Sequence, residues 1–83
     1  MRRLYFLYEA ASNWLNGDDT YTPKDIIEEA VKVLADVKEL EDVWQECVFH
    51  INNWNENSIE EQCEQAEVIV EELCGYLGEY LSK

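Results

Sequence analysis

Between Glu39 and Ser82 there is no lysine and no arginine, although twelve carboxylates fall in that stretch. Helices ordinarily mix the two signs, because opposite charges three or four residues apart stabilise a helix and like charges destabilise it. The chain is also poor in breakers, with one proline and three glycines. That scarcity favours long helices over a strand-and-turn fold. No apolar run approaches the ~20 residues of a membrane span. Met1-Arg2-Arg3 followed by Leu4 to Leu7 has the outline of a secretory leader, but the apolar part is short and aromatic and Glu9 interrupts it. A cytoplasmic protein is expected. The three cysteines, Cys47, Cys63 and Cys74, sit in helical register with apolar neighbours and are expected as buried thiols in a reducing compartment.

Eighty-three residues at net charge −13 make one helical domain, 1–83, large enough for one modest core. The charge excludes direct binding to nucleic acid and to anionic membranes, and points to a basic partner.

Apolar spacing predicts an all-α fold, a small three- to four-helix bundle with a long C-terminal helix. The first helix covers about Arg3 to Asn16, with a stripe of Leu4, Leu7, Tyr8, Ala11, Trp14 and Leu15, and stops at Gly17. Thr22-Pro23-Lys24-Asp25 opens the second, Thr22 capping and Asp25 returning the bond. Its stripe is Ile27, Ala30, Val31 and Leu34, with Ile26, Val33 and Val37 on one flank. Asp36-Val37-Lys38-Glu39 reads as a further capping box and places a break near Asp36. A single bent helix from Pro23 to Trp54 is the alternative. The third helix presents Leu40, Val43, Trp44, Cys47, Val48, Ile51 and Trp54. An Asn-rich turn over 52–57 and a Ser58–Glu61 box lead to the fourth, whose stripe is Ile59, Cys63, Ala66, Val70, Leu73, Cys74, Leu77, Tyr80 and Leu81. Gly75 and Gly78 are read as fraying in preference to a close helix approach.

At about 100° per residue, Glu60, Glu64, Glu67 and Glu71 form one ridge, and Glu61, Glu72 and Glu79 a second. Glu39, Asp42 and Glu46 line the third helix. Phe49 and Phe6 fall on outward faces among acids, and Val68 lies between the ridges. Solubility alone gives no reason for outward apolar residues there. Four glutamates along one helix give about one charge per 5 Å, against about one per 1.7 Å in duplex DNA. One ridge cannot imitate a duplex, whereas two or three side by side approach one strand.

Other chemistry finds little in the sequence. Residues 53–64 have the length of a calcium loop, with Asn53, Asn55, Asn57 and Glu64 at ligand positions. However, position one lacks Asp, position six is Ser58 where Gly is needed, and Glu60 stands at the apolar position. Cys47, His50, Cys63 and Cys74 lack the paired spacing of zinc motifs, and His50 is expected as a boundary residue with a hydrogen bond. There is no phosphate loop and no nucleophile–base pair. The chain is therefore expected to be no enzyme and to need no cofactor or metal.

With Asp36 to Asp42 and Glu60 to Glu72 on amphipathic helices in so small a chain, the sequence resembles the acidic, helical phage anti-restriction and anti-CRISPR proteins that mimic DNA. The resemblance covers composition and helicity over most of the chain and includes no diagnostic motif. It implies an inhibitor, often dimeric, that blocks DNA access to a nuclease or surveillance complex in the host cytoplasm. On this reading the partner-binding residues are Glu39, Asp42, Glu46, Phe49, Glu60, Glu61, Glu64, Glu67, Val68, Glu71 and Glu72, and the partner is a basic nucleic-acid-binding protein. The alternatives are a toxin-immunity protein, or a homodimeric interaction module whose acidity serves solubility and whose extra apolar residues Val33, Ile69 and Tyr76 serve the dimer.

Overall fold

A computed structural model describes residues 2–54 and 59–82. Four α-helices follow one another: α1 (Arg2–Leu15), α2 (Pro23–Val33), α3 (Glu41–Asn52) and α4 (Ile59–Leu81). The last has 23 residues, roughly 35 Å of helix at 1.5 Å per residue. No strand occurs among the described residues, and no helix is long and apolar enough to cross a membrane. The fold is the expected small all-α bundle with a long C-terminal helix.

The ends of α1 and α2 form as their sequences dictate. Gly17 adopts φ +103°. Its N–H donates to Trp14 O at 3.0 Å, and the Asp18 N–H donates to Asn13 O at 2.9 Å. Both bonds satisfy carbonyls that the end of α1 would leave open, and only a glycine takes that backbone turn without steric cost. At α2, the Asp25 N–H donates to the Thr22 hydroxyl oxygen at 3.1 Å, and the Asp25 carboxylate accepts from the Thr22 N–H at 3.3 Å. Pro23 occupies the first turn, where its missing donor is no loss.

The expected break near Asp36 is real, so residues 23–54 are not one helix. The expected capping box does not make it. Two 3-10 turns, Leu34–Asp36 and Lys38–Leu40, flank Val37, whose backbone is extended (φ −111°, ψ 98°), and no side chain caps either turn or α3. Tertiary contacts hold the corner. Leu34 and Leu40 are both buried, and the Trp44 indole N–H donates to Val31 O at 2.9 Å. That bond satisfies one of the last α2 carbonyls, the role a polar cap would otherwise fill.

The core joins Leu4, Leu7 and Ala11 of α1, Ile26, Ile27, Ala30 and Val33 of α2, Val43 and Cys47 of α3, and Ala66, Val70, Leu73 and Leu77 of α4. Ile26 and Val33 belong to this core instead of a flank, because α2 is central and packs on α1, α3 and α4. Each fully buried leucine, isoleucine or valine contributes about 1.5–3 kcal/mol.

Other expectations fail at the ends of helices. Leu15 is exposed, since it is the last residue of α1 and the chain turns away at Gly17. Of the three thiols only Cys47 is buried. Cys74 is half-buried and Cys63 exposed; the first buried position described on α4 is Ala66. Helix α4 runs through both Gly75 and Gly78 without fraying. Gly78 lies against Tyr8 of α1, where a β-carbon would stand 3.4 Å from the ring. The Ser58 cap and the Asn55–Asn57 part of the turn lie outside the described residues.

Candidate functional site: an acidic groove between α3 and α4

Helices α3 and α4 are consecutive and pack against each other. Each turns one apolar stripe into the core, which leaves the flanking positions of both facing a shared furrow. From α3 this furrow receives Asp42, Gln45, Glu46, Phe49 and His50, and from α4 it receives Glu64, Gln65, Val68, Ile69 and Glu72. The result is an open groove of about 680 Å³, within the range of clefts that hold ligands of several side chains' bulk.

Of the expected partner-binding residues, the groove brings together Asp42, Glu46, Phe49, Glu64, Val68 and Glu72. Phe49 is 70% exposed and Val68 54%, so both apolar side chains stand among the carboxylates with their surfaces in water. The others lie elsewhere. Glu39 sits on the 3-10 turn before α3, and Glu60, Glu61 and Glu67 are exposed on α4 outside the groove. Glu71 lines a separate depression toward α1, with Tyr8, Cys74 and Glu79. The long α4 ridge therefore does not act as one unit, because its members diverge to the two sides of the helix.

The acids are barely neutralised. Among the described residues there is one salt bridge, Lys24–Glu28 at 3.8 Å, within α2. Lys24 also reaches across to the second half of the chain, but it lands on an aromatic ring, 4.9 Å above the Trp54 centroid. No cation from the N-terminal half pairs with a carboxylate of α3 or α4 among the described residues.

Inside the groove the like charges meet. Glu46 and Glu72 line the groove from facing helices, and interaction with the Glu72 carboxyl raises the Glu46 pKa, with partial burial and the charges of Glu72 and Asp42 acting in the same direction. The field extends inward. Burial, and then the charges of Glu46 and Glu72, push the Cys47 thiol up to about 12, which removes thiolate chemistry at that residue.

His50 was expected at a boundary with a hydrogen bond. It is instead 6% exposed, and its Nε2 has no hydrogen-bond partner among the described residues. It packs edge-on to Trp54 with centroids 5.3 Å apart, and burial lowers its pKa. His50, Gln45, Gln65 and Ile69 are groove residues that sequence reasoning did not place there. Ile69 stood out only as surplus apolar surface, and the two glutamines carry no charge to mark them.

Among the described residues, no three His, Cys, Asp or Glu side chains converge as metal ligands. Cys63 is exposed while Cys47 and His50 are buried, and the calcium-loop positions Asn55 and Asn57 lie outside the described residues. A second aromatic patch lies on the opposite side of the chain order, where Phe6 and Tyr21 meet edge-to-face at 6.1 Å near Glu9, Asp18, Asp25, Glu28 and Glu29. Comparison of the chain with known protein families, curated proteins and solved structures finds no match to any of them.

Proposed function

We propose that this chain is an acidic decoy: it occupies the basic, nucleic-acid-binding surface of a partner protein and blocks that surface. Carboxylates stand in for phosphates and accept charge-assisted hydrogen bonds from the partner's arginines and lysines. The observation that carries the reading is the α3–α4 groove, where Asp42, Glu46, Glu64 and Glu72 surround exposed Phe49 and Val68 with no cation paired to them among the described residues. The acids steer encounter and set a salt-dependent on-rate, and the two apolar side chains supply a desolvated centre. A phage-encoded inhibitor of a nuclease, a restriction enzyme or a CRISPR complex fits this chemistry, and so does an immunity protein for a basic toxin nuclease.

Two charge-reversal variants test it. One reverses the groove (E46K/E64K/E72K) and the other the outer ridge (E60K/E67K/E71K). Capture of a basic nucleic-acid-binding protein at low salt, lost with the first variant and largely kept with the second, supports the reading. Unchanged capture by the groove variant, with its helical spectrum intact, refutes it. A homodimer closed across the same groove would bring two sets of carboxylates together, which charge opposes. A dimer by sedimentation that persists at low salt and buries Phe49 would favour the interaction-module reading.

A further inference from the structure

The α3–α4 groove is more selective than a negative surface. Two carboxyls, Glu46 and Glu72, line it from facing helices. It holds an aromatic ring, Phe49, three residues along α3 from Glu46 and 70% exposed. Val68 and Ile69 form an apolar wall on α4. His50 lines the same groove at 6% exposure, with no hydrogen-bond partner for Nε2 among the described residues.

Resting on the decoy reading, we infer that this groove receives an arginine side chain of the partner, its guanidinium bridging the Glu46 and Glu72 carboxylates with one face against the Phe49 ring. Two carboxylates held together repel, and a planar cation with five fixed N–H donors satisfies both at once. A lysine ammonium is a strongly hydrated point charge and cannot form that fork. An exposed aromatic beside the fork adds a face for the cation, and the three methylenes of an arginine stem cover apolar wall residues such as Val68. His50 adds to the lining of the same groove a buried ring nitrogen with no partner among the described residues. Within this chain Lys24, paired with Glu28, also lies over the Trp54 ring.

The test uses the full chain and two probes of equal charge, hexa-arginine and hexa-lysine, titrated by calorimetry at low and at physiological salt. The inference expects hexa-arginine to bind about three- to tenfold more tightly, as one stacked and forked guanidinium provides. F49L keeps the apolar contact and removes the π face, and E46Q/E72Q removes the fork. Both variants should retain the thermal transition, and each should bring the two peptides toward equal affinity. A wild-type chain with equal affinity for both peptides, or an arginine preference that survives both variants, overturns the inference. If affinities are equal and both are lost in E46Q/E72Q, the arginine assignment falls and the decoy reading stands. If neither peptide binds at low salt, both fall.

Discussion

Replacing Glu72 by glutamine should make the protein more stable. Glu46 and Glu72 line one groove from facing helices; two carboxylates repel by about 1 kcal/mol near 4 Å in water, and exposure and side-chain freedom reduce the net effect. A gain of about 0.5–1 kcal/mol at low salt is expected, comparable to the like-charge penalties measured on helices. For a domain of this size that corresponds to a rise in Tm of roughly 2–8 °C. Thermal unfolding followed by far-ultraviolet circular dichroism reads it directly. Salt supplies the control, because the gain should shrink as the Debye length falls from about 30 Å at 0.01 M to about 3 Å at 1 M. E46Q should give a similar gain, and E46Q/E72Q less than the sum, since either single change already removes the repulsion. The same variants should bind the basic partner more weakly. An E72Q protein with an unchanged or lower Tm at low salt would refute the reasoning, as would a gain undiminished by salt.

Further outcomes follow from the core, the thiols and the titrating groups. L73A, at a position with no exposed surface, should destabilise by about 2–5 kcal/mol, a large share of the roughly 4–12 kcal/mol available to a chain of this length; chemical denaturation measures it, and a loss below 1 kcal/mol would mean that α4 is not packed as described. Iodoacetamide should modify exposed Cys63 first and half-buried Cys74 more slowly, with Cys47 reacting only on unfolding; rapid native labelling at Cys47, whose thiol is pushed up to about 12, would contradict its burial. Burial lowers the pKa of His50, so its neutral form contributes stability above the unfolded value of about 6.5, and that stability is lost as pH falls. Glu46 has the opposite sign: its pKa is raised, so stability is recovered as pH falls through the raised value and protonation of Glu46 quiets the repulsion. Urea midpoints across this range should therefore show H50Q flattening the first effect and E72Q the second, and a variant that moved the other limb would reverse the assignments.

Local sequence chemistry was enough where the structure is itself local. The left-handed Gly17 and the reciprocal Thr22–Asp25 bonds depend on a few adjacent residues, and their residue types declare them. The corner at Val37 was foreseeable in place but not in cause, because a long-range bond from Trp44 to Val31 O does what the Asp36–Glu39 pattern seemed to promise. Periodicity placed Leu73 and Leu77 correctly inside, yet it extended the stripe to Cys63, ahead of the first described buried residue of α4, and to Leu15, the last residue of α1, and both are exposed. The groove was half legible. The outward Phe49 and Val68 and the uncompensated acids are visible as a pattern on each helix, but which acids converge depends on how α3 and α4 are rotated against each other. That rotation selects Glu46 and Glu72 and leaves Glu67 and Glu71 outside.

The most direct test of the decoy account is competition. The basic protein retained by the immobilised chain is purified, loaded with a fluorescent oligonucleotide, and titrated with the free chain while anisotropy is followed. Stoichiometric release of the oligonucleotide by the native chain, and none by E46K/E64K/E72K, is the result the account predicts. An oligonucleotide that stays bound while the chain saturates its partner would contradict it.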